Sequence, residues 1–328
     1  WTSIAALVTV PIVAIAAVAV PAFGQSHTLL VVNKAENSLA VLDPASGKVL
    51  QTIPTGHGPH EVALSSDGRT AFVTNYGDAK APGSSLSVID LPSGKETRRV
   101  DLGALRRPHG IIFSNGLVYF TIEANRAVAR YDTSSNAVDW LMGTGEAGTH
   151  MVVATSDGGM LATSNIGSNS VTLLARGAEA GQAWAVTRLP VGQGREGIHV
   201  SPDGKEIWTA HLQDGGVSII DVATRKVSAV VDIGTKRSNR LRFTPDGRLV
   251  LVSDLDAGAL VVIDRASRKE VKRIALGKAP SGILVTPDGS RAFVALTGEN
   301  ALSVVDLAKL EPVGRIATGA GPDGMAWR

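Results

Sequence analysis

Three of the seven histidines in this chain, His60, His109 and His150, fall at the same point in successive copies of a repeated pattern. The next copies place Glu196, Asn239, Ser281 and Asp323 at that point, so the position is never apolar. Imidazole suits zinc, copper, iron and nickel, and a carboxylate can complete such a site while leaving a position open for water or substrate. His60, His109, His150 and Glu196 are therefore the candidate ligands of a divalent transition metal, with zinc, manganese, iron and copper not distinguished. The competing reading is a hydrated polar funnel, in which the same side chains hydrogen-bond to water and to each other.

The surroundings of that position add chemistry. Arg107, Arg195, Arg237 and Arg240 lie within two residues of it, and guanidinium forks grip carboxylates in a bidentate way. With Asn239 and Tyr76 they form a candidate binding set for a small anionic molecule. Glu123 and His211 are the candidate general bases, given reach to the substrate. For each of these side chains a local hydrogen bond at a loop entry is the plainer alternative. His57 reads as a rim residue and His199 as a packed one, because it has the opposite strand parity to Glu196. The Gly-rich stretch from Tyr76 to Ser85 is the longest insertion on this side, and a mobile lid is one reading of it. No glycine run is followed by Lys-Ser/Thr and a helix, so no phosphate loop is present.

The elements that must position these residues are short strands. Asp-Gly or Asn-Gly pairs recur at Gly68, Gly116, Gly158, Gly204, Gly247 and Gly289, which are 48, 42, 46, 43 and 42 residues apart. A fixed period in this range marks a solenoid or propeller, and Asp-Gly between alternating apolar runs marks a tight hairpin. A β-rich strand follows most of these turns, then a second strand often ending in Asp, as in Ser218-Ile219-Ile220-Asp221 and Ser303-Val304-Val305-Asp306. Third and fourth strands complete each repeat, with almost no helical periodicity. The expected fold is all-β: a seven-bladed β-propeller of four-stranded blades. Seven second strands but six hairpins imply one blade split between the N- and C-termini, with Gly324-Met325-Ala326-Trp327 as its innermost strand.

At this point the chain resembles the YVTN-repeat β-propeller family of exported bacterial and archaeal proteins. The carrying residues are Phe72-Val73-Thr74-Asn75-Tyr76, the Ser-Val-Ile-Asp type of strand, and the turns Ser201-Pro202-Asp203-Gly204 and Thr244-Pro245-Asp246-Gly247. The resemblance runs from about Thr28 to Trp327 and implies the fold, not an activity. Oligogalacturonate lyase and the carotenoid oxygenases are similar in holding a metal with axial histidines, although the chain shows neither family's overall pattern.

Composition narrows the function classes. The 32 Lys+Arg against 30 Asp+Glu leave no basic excess for phosphate neutralisation, so nucleic acid is not an expected partner. The absence of Cys excludes disulfides, thiolate chemistry and a thioether-attached heme, so no covalent heme is expected. Residues 1–24 read as a signal peptide short of its first residues, cleaved before Gln25, with an uncleaved anchor as the alternative. Residues 25–328 form one propeller domain, expected as a periplasmic or secreted monomer, off the membrane once the leader is removed. The leading functional expectation is a metal-dependent hydrolase or lyase acting on a small anionic molecule, by lactone-type hydrolysis or elimination. The alternatives are a non-catalytic propeller that holds a ligand or a partner protein on its axial face, and an oxidoreductase with a non-covalent cofactor.

Overall fold

The computed structural model describes residues 27–177 and 183–328, with Arg195 described by its backbone alone. Alternating β-branched and aromatic residues between Asp-Gly turns give 28 strands, which pair into seven four-stranded antiparallel sheets. The sheets follow one another around a ring, and each inner strand packs against the next. Blade 1 is split as expected. Pro322–Trp327 forms its inner strand and pairs with Leu29–Asn33, followed outward by Ser38–Leu42 and Val49–Pro54. Reciprocal backbone bonds between Thr28 and Arg328, at 2.8 and 2.9 Å, extend this closure. The inner strands of blades 2 to 7 are Pro59–Leu64, Pro108–Ser114, Thr149–Ala154, Arg195–Val200, Ser238–Phe243 and Pro280–Val285.

The hairpins on the face away from the site share one device. In blade 2 the Asp67 carboxylate accepts the Ser65 hydroxyl at 2.6 Å and the Arg69 amide at 3.0 Å, while Gly68 takes a φ of +65°. The same hydroxyl–Asp–Gly arrangement recurs at Asp157, Asp203, Asp246 and Asp288. Glycine is favoured there because a side chain is strained at that φ. Between the blades lie seven apolar clusters. In one, Trp208, Val217 and Ile219 of blade 5 meet Leu241, Phe243 and Val252 of blade 6. The outermost strands are edges, and all but Val49–Pro54 of blade 1 carry charge against edge pairing, as in Lys95–Asp101.

The Tyr76–Ser85 insertion is not a loose lid. It lengthens a hairpin, with strands Thr70–Gly77 and Pro82–Asp90 joined by a turn whose amides at Lys80 and Ala81 donate to Asp78. The signal-peptide reading of residues 1–24 lies outside the described residues. No described helix is long and apolar enough to cross a membrane.

Candidate functional site at the propeller axis

Each inner strand carries a β-bulge at its start, and the bulge turns residues toward the axis. In blade 2 the register jumps from Pro59 opposite Asn75 to Val62 opposite Val73, leaving His60 and Glu61 in the bulge. The ring read from the sequence occupies this place in the seven blades: Asp323, His60, His109, His150, Glu196, Asn239 and Ser281. All but Glu196, whose side chain is 14% exposed, are buried.

Two local features hold the ring. At the next residue, blades 1, 3, 5 and 7 have glycine because the neighbouring blade's backbone passes too close for a side chain. A Cβ on Gly110 would lie 2.7 Å from the Met151 Cα, and one on Gly324 would lie 2.5 Å from the His60 carbonyl oxygen. Hydroxyls on the second strands then tie blade to blade. Thr74 donates to the His109 carbonyl at 2.7 Å, Thr121 to that of His150 at 2.6 Å, Ser164 to that of Glu196 at 2.8 Å, and Ser253 to that of Ser281 at 2.8 Å.

The three histidines form a stack. The His109 ring lies 3.8 Å from the His60 ring and 3.6 Å from the His150 ring, centroid to centroid. His150 sits between carboxylates, with Nδ1 3.0 Å from Glu123 and Nε2 3.3 Å from Glu196. Burial alone would lower its pKa, but the bonds to Glu123 and Glu196 outweigh burial and raise it. Burial also pushes His109 well below the usual histidine range, helped by positive charge on His150 and His60. His60 is lowered by burial and by Lys34, whose ammonium lies 2.9 Å from His60 Nε2 and 3.1 Å from Asp323. Burial would raise Glu196, but His150 and Arg240 prevail and hold it at about 2.

Arg240 is a buried bridge across the axis. Its guanidinium donates to Glu61 of blade 2 at 2.6 Å and to Glu196 of blade 5 at 3.0 Å. The fork expected to grip a substrate carboxylate is thus turned inward onto the protein's own carboxylates. Glu61 was not singled out from the sequence. A signal for it exists, because Glu61 and Arg240 are charged residues of opposite sign in a column where four other blades have glycine. Lys34 was also missed, although it stands in the same column as Tyr76 and Glu123, one residue past the strand end.

The other expected residues are dispersed around the mouth. Tyr76 donates to Glu123 at 3.0 Å and its ring stands 5.2 Å from that of His109. Arg107 lies over the Tyr76 ring at 4.9 Å. Arg237 lines the mouth, half exposed, 3.5 Å from Asp256. Asn239 also lines it and donates to Glu196 at 2.6 Å. The backbone of Arg195 pairs with His211. His211 is not brought to the mouth. It is buried within blade 5, with Nδ1 2.5 Å from Asp214 and Nε2 2.9 Å from Ser218. It fills the place of Asn75 and Asn165, which bond third-strand hydroxyls in their own blades. His57 is a rim residue 3.1 Å from Asp78, and His199 stacks on Phe243.

A cavity of about 530 Å³ opens beside the stack, lined among others by Lys34, His60, Arg237, Ser281 and Asp323. Ligand atoms of His60, Glu61 and His109 lie within 4.8 Å of one another, the spacing a single cation needs. The geometry therefore joins Glu61 to His60 and His109, while His150 and Glu196 pair with each other.

Residues 114–288, more than half of the chain, match the cytochrome D1 heme domain. The chain belongs to the cytochrome D1 heme domain family. Within this family member, His60, His109 and Asp323 lie outside the matched stretch. No curated protein sequence matches the chain. Among solved structures, hydrazine synthase of Kuenenia stuttgartiensis is similar with a TM-score of 0.75 at 20% identity, covering 86% of this chain and 92% of that one. The periplasmic gluconolactonase PpgL of Pseudomonas aeruginosa aligns with a TM-score of 0.73 at 20% identity, over 92% of this chain and 98% of that one. The dihydro-heme d1 dehydrogenase NirN, in complex with DHE, aligns with a TM-score of 0.65 at 16% identity, over 91% and 74%. At these identities the likeness carries the seven-bladed propeller, and it does not single out the YVTN repeat.

The family's heme can be set against the residues present. An axial imidazole must hold one nitrogen clear across the breadth of the macrocycle. His60 is the histidine lining the cavity, and its Nε2 meets Lys34 at 2.9 Å and His109 at 3.1 Å. Its Nδ1 faces Asp323 at 3.4 Å and Glu61 at 3.7 Å. Neither nitrogen stands clear. His60 is thus not placed to ligate a heme, whereas donor atoms of His60, Glu61 and His109 lie close enough together for one small ion.

Proposed function

We propose that this chain is an exported enzyme that binds a small acyl compound at the axial mouth and hydrolyses it, a lactone being the type substrate, with a divalent metal ion beside His60, Glu61 and His109. One observation carries the reading. Six buried side-chain polar atoms make no well-formed hydrogen bond among the described residues, and four of them belong to the axial ring: His109 Nδ1, and His60 Nδ1, His150 Nε2 and Asp323 Oδ1, which have only charged groups at 3.3–3.9 Å. Unpaired buried polar atoms are costly, and their concentration at one point favours a site built for something to bind.

The local charge agrees with a cation. Glu61, Glu123, Glu196 and Asp323 bring four carboxylates to the axis, with Lys34 and Arg240 in contact with them and Arg107 and Arg242 near by, so the carboxylates supply the donors a cation would use. A bound metal ion would polarise the acyl oxygen. Of the two candidate bases Glu123 stands at the mouth, partly exposed, and takes a proton from the attacking water. The water oxygen bonds to the carbonyl carbon, the ring C–O bond breaks, and the ring oxygen leaves as a hydroxyl after taking a proton. The product is a hydroxy acid, which ionises. Lys34 and Arg237 supply positive charge for the carboxylate formed. The lactonase name borne by a protein of the same fold supports this choice of bond. Export is supported by the leader-like residues 1–24 and by the periplasmic description of that neighbour.

The test is metal content and lactone turnover of protein never exposed to a nickel column. His60→Ala and Glu61→Gln should each remove most of the metal and the turnover, and Ser281→Ala should keep the metal. Wild-type protein with less than about a tenth of an equivalent of metal and no turnover would leave the non-catalytic binding propeller in its place.

A further inference from the structure

The mouth has a second tier above the ring, one residue past the end of six of the second strands and, in blade 2, near the end of the lengthened strand Thr70–Gly77. Going round from blade 1, it reads Lys34, Tyr76, Glu123, Ile166, Leu212, Leu255 and Thr297. Its first three members are ionisable or polar and stand over Asp323, His60 and His109. The next three are aliphatic and half-buried, and Leu212 and Leu255 line the cavity together with Ala279.

On the wall that Leu255 shares with blade 7, the side chains of Asn239, Ser281 and Thr297 are already committed. Asn239 donates to Glu196 at 2.6 Å, Ser281 and Thr297 share a hydrogen bond of 2.6 Å, and Thr297 also donates to the Pro322 carbonyl at 2.7 Å. A hydroxyl-rich molecule would find few free partners on that wall, and among the described lining residues no Phe, Tyr or Trp offers a face to a sugar ring. Two leucine side chains left half in water are, by contrast, an unsatisfied apolar surface in contact with the ionisable side of the same cavity. At about 530 Å³ the cavity is within the range that takes a small molecule whole.

We propose that the mouth takes an amphipathic acyl compound: a lactone or ester head at Lys34 and His60, and an aliphatic chain lying against Leu212 and Leu255. This rests on the hydrolytic reading of the same site and narrows its substrate class to alkyl lactones and esters, against polyhydroxylated ones.

The experiment compares γ-butyrolactone, γ-hexalactone and γ-octalactone with glucono-δ-lactone as substrates of the full chain. kcat/KM should rise about threefold for each methylene buried against the leucines, and glucono-δ-lactone should rank below γ-hexalactone. Leu255→Ser should flatten the chain-length dependence, and thermal melting of that variant shows that it is folded. A flat series, or a preference for glucono-δ-lactone, overturns the inference while leaving hydrolysis standing. If no lactone is turned over, the hydrolytic reading falls, and calorimetry with the corresponding hydroxy acids decides the inference. Affinity that grows with chain length, and stops growing in Leu255→Ser, upholds it; affinity independent of chain length overturns it.

Discussion

Blades 1 to 3 and blades 5 to 7 present the same backbone to the axis and opposite chemistry. On the first side Lys34, Tyr76 and Glu123 stand over Asp323, His60 and His109. On the second Leu212, Leu255 and Thr297 stand over Glu196, Asn239 and Ser281. Blade 4, with Ile166 over His150, joins them. Because the repeat sets the inner strands alike, the difference lies mainly in side chains, with the lengthened hairpin of blade 2 as a backbone exception, and a propeller can change one sector of its mouth without rebuilding the other. The sectors are nevertheless tied. Arg240 reaches from blade 6 to Glu61 in blade 2, and His150 is shared between Glu123 and Glu196.

The largest effect is expected from removing what both sectors stand on. Deleting Gly321 to Arg328 strips blade 1 of its inner strand and exposes the edge of Leu29–Asn33. Insoluble protein, or a melting transition far below that of the full chain, is expected; a truncated chain melting like the full one would show that closure contributes little. Next is the tie itself. Arg240→Leu leaves Glu61, Glu196 and Asp323 facing one another without their buried cation, and chemical denaturation should show a loss of about 3–5 kcal/mol. A loss under about 1 kcal/mol would mean that the two sectors are energetically separate.

The smallest effect concerns pH and the Glu123–His150–Glu196 bridge. His150 has a raised pKa, so its contribution is complete below about 6.5, its ordinary value, and is lost as pH rises through the folded value. Glu196 is held at about 2, so its contribution is complete above 4.5 and is lost as pH falls from there toward 2. The bridge should therefore contribute most between pH 4.5 and 6.5. Following the His150 ring by NMR checks this: Glu196→Gln should lower its titration midpoint, and an unmoved midpoint would contradict the shared bridge.

The ring of seven positions and the split blade were legible in the sequence because each turn fixes a count to the next, and the count survives folding. Glu61 was not, and Arg240 was read as a grip for a substrate anion and not as the partner of Glu61, because a bulge brings two consecutive residues inward where strict alternation allows one. Lys34 stands in the same column as Tyr76 and Glu123, which were named from the sequence, but its blade is the split one and has no Asp-Gly turn to count from. His211 shows the opposite difficulty. Its type and place matched a general base, and only the packing of blade 5 shows both of its ring nitrogens facing Asp214 and Ser218.

The Arg240–Glu61 bridge bears on traffic as well as on stability. It runs across the ring from blade 6 to blade 2, so a molecule larger than water would have to open this bridge to pass along the axis. While the bridge holds, whatever enters leaves by the same door, and a ligand that lingers keeps the next one out. A polymer cannot be threaded through the ring and drawn along, so it can offer only a free end. Under the proposed hydrolysis, the rate should therefore be paced by the clearing of one opening, as in a dead-end street and not a tunnel.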